Sequence, residues 1–104
     1  MNKSEYLMAC LSEEASEIIK ATQKAQRFGL DNGNPFDKDF ISNRDAIVHE
    51  IIDLLAIALM MESNGDIHVS QFIDSTCITE ELCNKMSKVL TFMNESERVG
   101  ALHK

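Results

Sequence analysis

The sequence predicts an all-α protein, and the main observation behind this prediction is the spacing of its apolar residues. Three segments repeat apolar residues every three or four positions, which is the period of an amphipathic helix. The stretches between them are rich in residues that favour turns. No segment shows the sustained alternation of apolar and polar residues that a half-buried strand requires. The length of 104 residues is that of one domain, so 1–104 is expected to fold as a single unit.

The first helix is predicted from its apolar stripe and from its stop signal. The stripe consists of Leu7, Leu11, Ile18, Ala21, Ala25 and Phe28. Glu14 fills the gap in the middle of this stripe. Gly29 suits the position that closes a helix. The sequence DNGNP at 31–35 then favours a turn, and the chain up to Ser42 is expected to be a loop.

The second helix is predicted to begin at Ser42, because Asp45 three positions later completes a pattern that resembles a capping box. Apolar residues then occupy nearly every side of the helix until Asn64 and Gly65 end it. A helix that is apolar nearly all round is normally buried. We therefore expect the segment 47–61 at the centre of the fold or in an interface between subunits.

A third long helix is predicted after Thr79, which suits an N-cap and is followed by two glutamates where the helix dipole favours negative charge. Its apolar stripe consists of Leu82, Met86, Val89 and Met93. Residues 66–78 fit either a short helix or an irregular connection.

Composition excludes several classes of partner. The formal net charge of −7 disfavours a nucleic-acid backbone or an anionic membrane as the main partner. The longest apolar segment, 47–61, is too short and too charged to span a bilayer. The three cysteines are odd in number and lack CxxC spacing, so we expect a reducing cytoplasm rather than a disulfide framework.

The carboxylates of the first two helices are the candidate functional residues. Glu14 and Glu17 lie one turn apart, and Glu50 and Asp53 repeat this spacing on the second helix. Packing the two helices together would gather four carboxylates, whose mutual repulsion is costly in a low-dielectric setting. A divalent cation offsets this repulsion far better than local helix pairs do. An all-oxygen site suits Mg²⁺, or Mn²⁺ in its place, better than zinc.

Three other interpretations fit these carboxylates less well. A solvated acidic face is the ordinary explanation of a charge run, but Glu14 lies in an apolar stripe and Glu50 and Asp53 interrupt an apolar helix. The zinc protease motif HExxH does not fit HEIID, since Asp53 stands in place of the second histidine. A di-iron bundle would require Glu-x-x-His pairs, which the two helices lack.

The segment EEASE at 13–17, followed by EIID at 50–53, resembles the EExxE…ExxD pattern of MazG-like nucleotide pyrophosphohydrolases. These enzymes belong to the all-α NTP pyrophosphatase superfamily. The last segment, KMSKVLTFMNESERVGAL, is similar to the lysine-rich helix and tail of short, phage-type members, so the likeness covers most of the chain. His49 and Ile52 depart from the family, which often has an acidic and a small residue there, but neither change removes a ligand.

The resemblance implies Mg²⁺-dependent hydrolysis of the α–β phosphoanhydride of a nucleoside triphosphate, giving the monophosphate and pyrophosphate. It also implies an antiparallel helical bundle, in which two long helices bear the ligands and a third joins them, assembled as a dimer or a dimer of dimers. The implied metal ligands are Glu14, Glu17, Glu50 and Asp53. The chemistry also needs a base for the attacking water, for which Glu14 and Glu17 are the candidates.

Substrate contacts are expected from residues beside this acidic site. Lys20, Lys24 and Arg27 share a helical face with Glu13 and form a cationic strip that could grip phosphates, or simply a solvated face. The resemblance adds Lys85 and Lys88 on the third helix, and Glu13 as the first glutamate of the motif.

Two alternatives to this function remain open from the sequence. One is the related phosphoribosyl-ATP pyrophosphohydrolase activity, although its wider motif is not evident. The other is a non-catalytic helical dimer that binds a nucleotide or a metal and regulates a partner. A costly acidic cluster favours the enzyme, because a binding module has no reason to retain it.

Overall fold

The computed structural model describes residues 1–73 and 79–103, and every regular element among them is helical. The elements are α1 (Lys3–Phe28), α2 (Asn43–Ser63), a 3-10 turn (Ser70–Phe72) and α3 (Glu80–Arg98). The all-α prediction is confirmed, and each long helix lies where the apolar period places it. The chain divides into two compact units, Met1–His68 and Val69–Lys104.

The ends of α1 follow from local hydrogen bonding. At the N-terminus, the Asn2 side chain accepts a hydrogen bond of 2.8 Å from the backbone N–H of Glu5, which satisfies one of the free donors of the first turn. At the C-terminus, Gly29 has a φ of 94°, a conformation that residues with a side chain rarely adopt. Its N–H donates to the carbonyl of Ala25 at 2.8 Å. The predicted stop at Gly29 is confirmed.

The start of α2 is fixed by its cap and by the preceding loop. Ser42 Oγ accepts a hydrogen bond of 3.1 Å from the N–H of Asp45, as the capping pattern predicts. Loop carbonyls accept from the first turn of the helix: Asn43 N–H donates to Asn32 and Arg44 N–H donates to Leu30. Consequently, the loop between α1 and α2 lies back against the beginning of α2.

Helices α1 and α2 pack against each other as an antiparallel hairpin. At one end of the hairpin, Ser4 Oγ donates to Asp66 Oδ1 at 2.6 Å and accepts from Asn64 Nδ2 at 3.1 Å. At the other end, Asn43 Nδ2 donates to the carbonyl of Gly29 at 2.9 Å. The buried apolar residues between the helices are Leu7, Ala21, Ala58 and Met61.

Only one side of α2 is covered by α1. Ala58 and Met61 are buried on that side, whereas Val48, Ile52 and Leu59 on another side are exposed. Segment 47–61 is therefore not enclosed by the hairpin, because one neighbouring helix covers only one stripe, and the alternative expectation, an interface between subunits, stays a prediction. Two helices alone make a small core, as surface-to-volume scaling requires.

The second unit consists of the 3-10 turn, α3 and a short tail. Thr79 Oγ1 accepts from the N–H of Leu82 at 3.4 Å, which confirms the predicted cap. The apolar stripe of α3 is exposed. The carbonyl of Ser96 accepts from the N–H groups of Ala101 and Leu102, so the tail turns back on the helix end. Of the ambiguous connection at 66–78, residues 74–78 lie outside the described part.

None of the helices in the described segments has both the length and the apolarity needed to cross a bilayer.

Asp66 gives the hairpin a stability that depends on pH. Hydrogen bonds from Ser4 and then Asn64 hold its pKa below the ordinary value. A lowered pKa stabilises the fold above the ordinary aspartate pKa, and this stabilisation is lost as pH falls through the lowered value. We expect Asp66→Ala to lower the melting temperature near neutral pH, and the difference from the unmodified protein to shrink as pH falls through the lowered pKa of Asp66. A difference that stayed constant in thermal scans across that range would contradict this assignment.

Candidate metal centre

Three carboxylates from two helices converge in the middle of the hairpin. Glu14, Glu50 and Asp53 each place one carboxylate oxygen within 4.8 Å of the others. Glu50 and Asp53 lie one turn apart on α2 and therefore share a face. Glu14 lies in the apolar stripe of α1 that packs on α2, which is why it meets them. Glu14 and Glu50 are half-buried, and Asp53 is exposed.

The environment of Glu14 disfavours its negative charge. Partial burial raises its pKa above the usual glutamate range, and the negative charges of Asp53 and Glu50, followed by those of Glu13 and Glu17, raise it further. Burial and neighbouring like charge both act in this direction because each penalises the ionised form.

No cation of the chain compensates this cluster within the described segments. The ion pairs found there join Lys20 to Glu17, Arg44 to Asp31 and Arg98 to Glu95, and none includes a member of the cluster. Three hard oxygen donors without a protein counter-charge are a donor set that suits Mg²⁺ or Mn²⁺. The residues therefore fit the ion expected from the sequence.

The remaining candidate carboxylates of α1 lie beside this cluster. Glu17 is half-buried and not among the three converging residues; Lys20 Nζ donates to its Oε1 at 3.4 Å. Its role as a fourth ligand stays a prediction. Glu13 is exposed and acts on Glu14 through its charge. Of the four carboxylates that the sequence predicts at one site, three converge, and the fourth, Glu17, lies one helical turn from Glu14.

The candidate cations are distributed over three places. Lys20 pairs with Glu17 close to the cluster. Lys24 and Arg27 line a cavity at the loop end of the hairpin. Lys85 and Lys88 are exposed on α3, in the second unit. Their contacts with substrate stay predictions.

Asn43 is the residue at this end of the hairpin whose importance the sequence did not reveal. In the sequence it stands directly after the N-cap residue Ser42 and has the look of a residue that only helps to cap α2. In the structure it is the one buried polar residue of the described part, with 8% of its surface exposed. It also joins α2 to Gly29 and lines the cavity that holds Lys24 and Arg27. An asparagine directly after an N-cap serine is too common a pattern to signal this role.

No protein-family model, no curated protein and no solved structure matches the chain.

Proposed function

We propose that the chain is a Mg²⁺-dependent nucleoside triphosphate pyrophosphohydrolase that cleaves the α–β phosphoanhydride to give a monophosphate and pyrophosphate. The observation that carries the proposal is the convergence of Glu14, Glu50 and Asp53. These residues occupy the motif positions that resemble the ligand positions of MazG-like enzymes. The convergence gives that resemblance a physical basis, since two distant segments of sequence meet at one point.

Glu14, Glu50 and Asp53 are the proposed ligands of the ion. Bound there, Mg²⁺ would neutralise phosphate charge and acidify a water molecule, which is the chemistry that a phosphoanhydride requires. The ligands must be ionised to bind, and the raised pKa of Glu14 makes its ionisation the costly step. Mn²⁺ has the same preference for oxygen ligands and is the proposed substitute.

Glu17 is the carboxylate that we propose as the proton acceptor. It lies one turn from Glu14 and outside the three converging residues, and its partner is Lys20 at 3.4 Å, an exposed pair for which a water beside the site can compete. If Glu17 is the base, Glu17→Gln abolishes turnover and leaves Mn²⁺ binding intact. If Glu17 is a fourth ligand instead, the same change weakens both, and Glu14 becomes the candidate base.

The proposed phosphate contact near the centre is Lys20, and we propose Lys85 and Lys88 as further substrate contacts on the strength of the resemblance alone. Lys20 is six positions from Glu14, or about 9 Å along α1, so its long side chain is within reach of a substrate phosphate. Its present partner is Glu17 at 3.4 Å. This pair is solvent-exposed, and exposed pairs contribute little to stability, so substrate can displace it at low cost.

The reaction itself supplies the first functional test. With Mg²⁺ or Mn²⁺, we expect the protein to release pyrophosphate from at least one member of a panel of canonical and modified nucleoside triphosphates. Phosphorus NMR would show monophosphate and pyrophosphate appearing together. Stepwise release of orthophosphate through a diphosphate would contradict the proposed bond cleavage. Absence of turnover across the panel, with metal or nucleotide still bound, would favour the regulatory binding module instead.

The assembly and compartment are parts of the same proposal. We propose a homodimer or homotetramer, because apolar side chains of α2 are exposed on the side that α1 does not cover. The odd number of cysteines supports the cytoplasm as the compartment. The acidic net charge of −7 supports a small-molecule substrate, with neither nucleic acid nor membrane as a partner.

A further inference from the structure

A cavity lies at the loop end of the hairpin, away from the metal centre. Its volume is about 360 Å³, which is in the range of cavities that hold small ligands. The last turns of α1, the connecting loop and the first residue of α2 form its walls. The residues that matter to the argument are Lys24, Arg27, Phe28, Asn34, Pro35 and Asn43.

Two positive charges without a counter-charge stand at this cavity. The ion pairs found in the described segments include neither Lys24 nor Arg27. In a chain with a net charge of −7, two neighbouring cations without an ion-pair partner contrast with the overall acidic charge. A phosphate monoester carries a charge of about −1.5 to −2 near neutral pH. The two side chains therefore match one such group.

The guanidinium of Arg27 and the ring of Phe28 lie next to each other in the wall of the cavity. The guanidinium carbon of Arg27 is 5.8 Å from the centre of the Phe28 ring, a cation–π distance. Arginine planes and aromatic faces both accept a stacked nucleobase. Pro35 adds a further apolar surface to the walls.

Asn43 adds a neutral polar group to the wall of the cavity. The residue is only 8% exposed, and its Nδ2 is held by the carbonyl of Gly29 at 2.9 Å. Its Oδ1 accepts no hydrogen bond from the described residues. Every fully buried side-chain polar atom of those residues does have a partner. This oxygen is therefore accessible, and Asn43 lines the cavity. It is a rigidly held acceptor for an N–H donor.

We propose that this cavity binds a nucleoside monophosphate. Lys24 and Arg27 hold the phosphate, the base lies against the Arg27–Phe28 pair, and Asn43 Oδ1 accepts from an exocyclic amine of the base. The site is separate from the metal centre, because Lys24 lies ten positions after Glu14, or about 15 Å further along α1. Binding therefore requires no metal and does not depend on the proposed hydrolysis.

The test is a titration of isotope-labelled protein in EDTA, with adenosine monophosphate as the probe and amide NMR shifts as the readout. We expect saturable shifts at Gly29, Asn34 and Asn43. The double change Lys24→Met with Arg27→Gln should weaken binding by about tenfold or more, because it removes both charge-assisted contacts. The matched control, Lys3→Met, removes a cation of the same helix outside the cavity and should leave the affinity unchanged.

Simpler probes separate the parts of the proposed site. Adenosine, which lacks the phosphate, and inorganic phosphate, which lacks the ring, should each bind more weakly than the monophosphate. Inorganic phosphate binding as tightly as the nucleotide would overturn the stacking contacts. Shifts centred on Glu14, or an affinity that falls in Glu14→Gln but not in the double variant, would place the nucleotide at the metal centre and overturn the proposal. Absence of saturable binding would also overturn it.

Discussion

Glu14→Gln is expected to abolish most Mn²⁺ binding, to reduce pyrophosphate release by orders of magnitude, and yet to stabilise the metal-free protein. The glutamine keeps nearly the same shape and removes one of the three negative charges that meet at the centre. The unmodified chain must hold that charge where burial and then Asp53 and Glu50 raise the pKa of Glu14. Removing it relieves the repulsion and removes a proposed metal ligand in the same step.

Melting curves with and without Mn²⁺ measure both effects. An ion that binds only the native state raises the melting temperature of the unmodified protein. This rise should nearly vanish in Glu14→Gln and in Glu50→Gln. Glu5→Gln is the matched control, since Glu5 lies on the same helix about 13 Å before Glu14. It should keep the full Mn²⁺ shift and the full rate.

The pH dependence of the same comparison has a definite sign. Because the pKa of Glu14 is raised in the folded protein, ionisation of Glu14 destabilises the metal-free fold above that raised value. Protonation removes this destabilisation as pH falls toward the ordinary glutamate pKa. The stability advantage of Glu14→Gln should therefore be largest near neutral pH and should fade in acid. A variant that was less stable without metal and still shifted by Mn²⁺ would show that Glu14 is a structural hydrogen-bond acceptor.

The helices and their ends could be predicted because their signals are local. The caps at Ser42 and Thr79 and the stop at Gly29 each depend on a few neighbouring residues, and each is confirmed by its hydrogen bond or its φ angle. The meeting of Glu14 with Glu50 and Asp53 follows from the same logic, since a residue in the apolar stripe of one helix must face the helix that packs on it.

The loop end of the hairpin could not be predicted, because its conformation depends on contacts distant in sequence. Two contacts shape the cavity: Asn43 Nδ2 donates to the carbonyl of Gly29, and the loop backbone at Gly33 approaches the loop residues Phe40 and Ile41. A Cβ at Gly33 would collide with the carbonyl oxygen of Ile41 and with the Phe40 ring. None of these contacts has a periodic signal.

The exposed side of α2 has the pattern of a helix–helix seam. Val48, Ile52, Leu55 and Leu59 follow each other at intervals of four, three and four positions, the spacing by which paired helices interlock. Val48, Ile52 and Leu59 are exposed, with 48%, 54% and 42% of their surface accessible, and Leu55 is half-buried. Full burial of such a side chain contributes about 1.5–3 kcal/mol, and covering the exposed part of this stripe with a second copy, as we propose, would contribute a fraction of that for each residue.

Ile52→Glu is therefore expected to dissociate the assembly. Light scattering coupled to size exclusion should give a dimer or tetramer mass for the unmodified protein at micromolar concentration and a lower mass for the variant, because a charge buried in an apolar seam has no partner. Ile19→Glu is the matched control: Ile19 is similarly exposed, at 56%, but lies on α1, and its change should leave the mass unaltered. A monomer mass for the unmodified protein would overturn the predicted assembly, and a loss of assembly in the Ile19 variant alone would move the interface from α2 to α1.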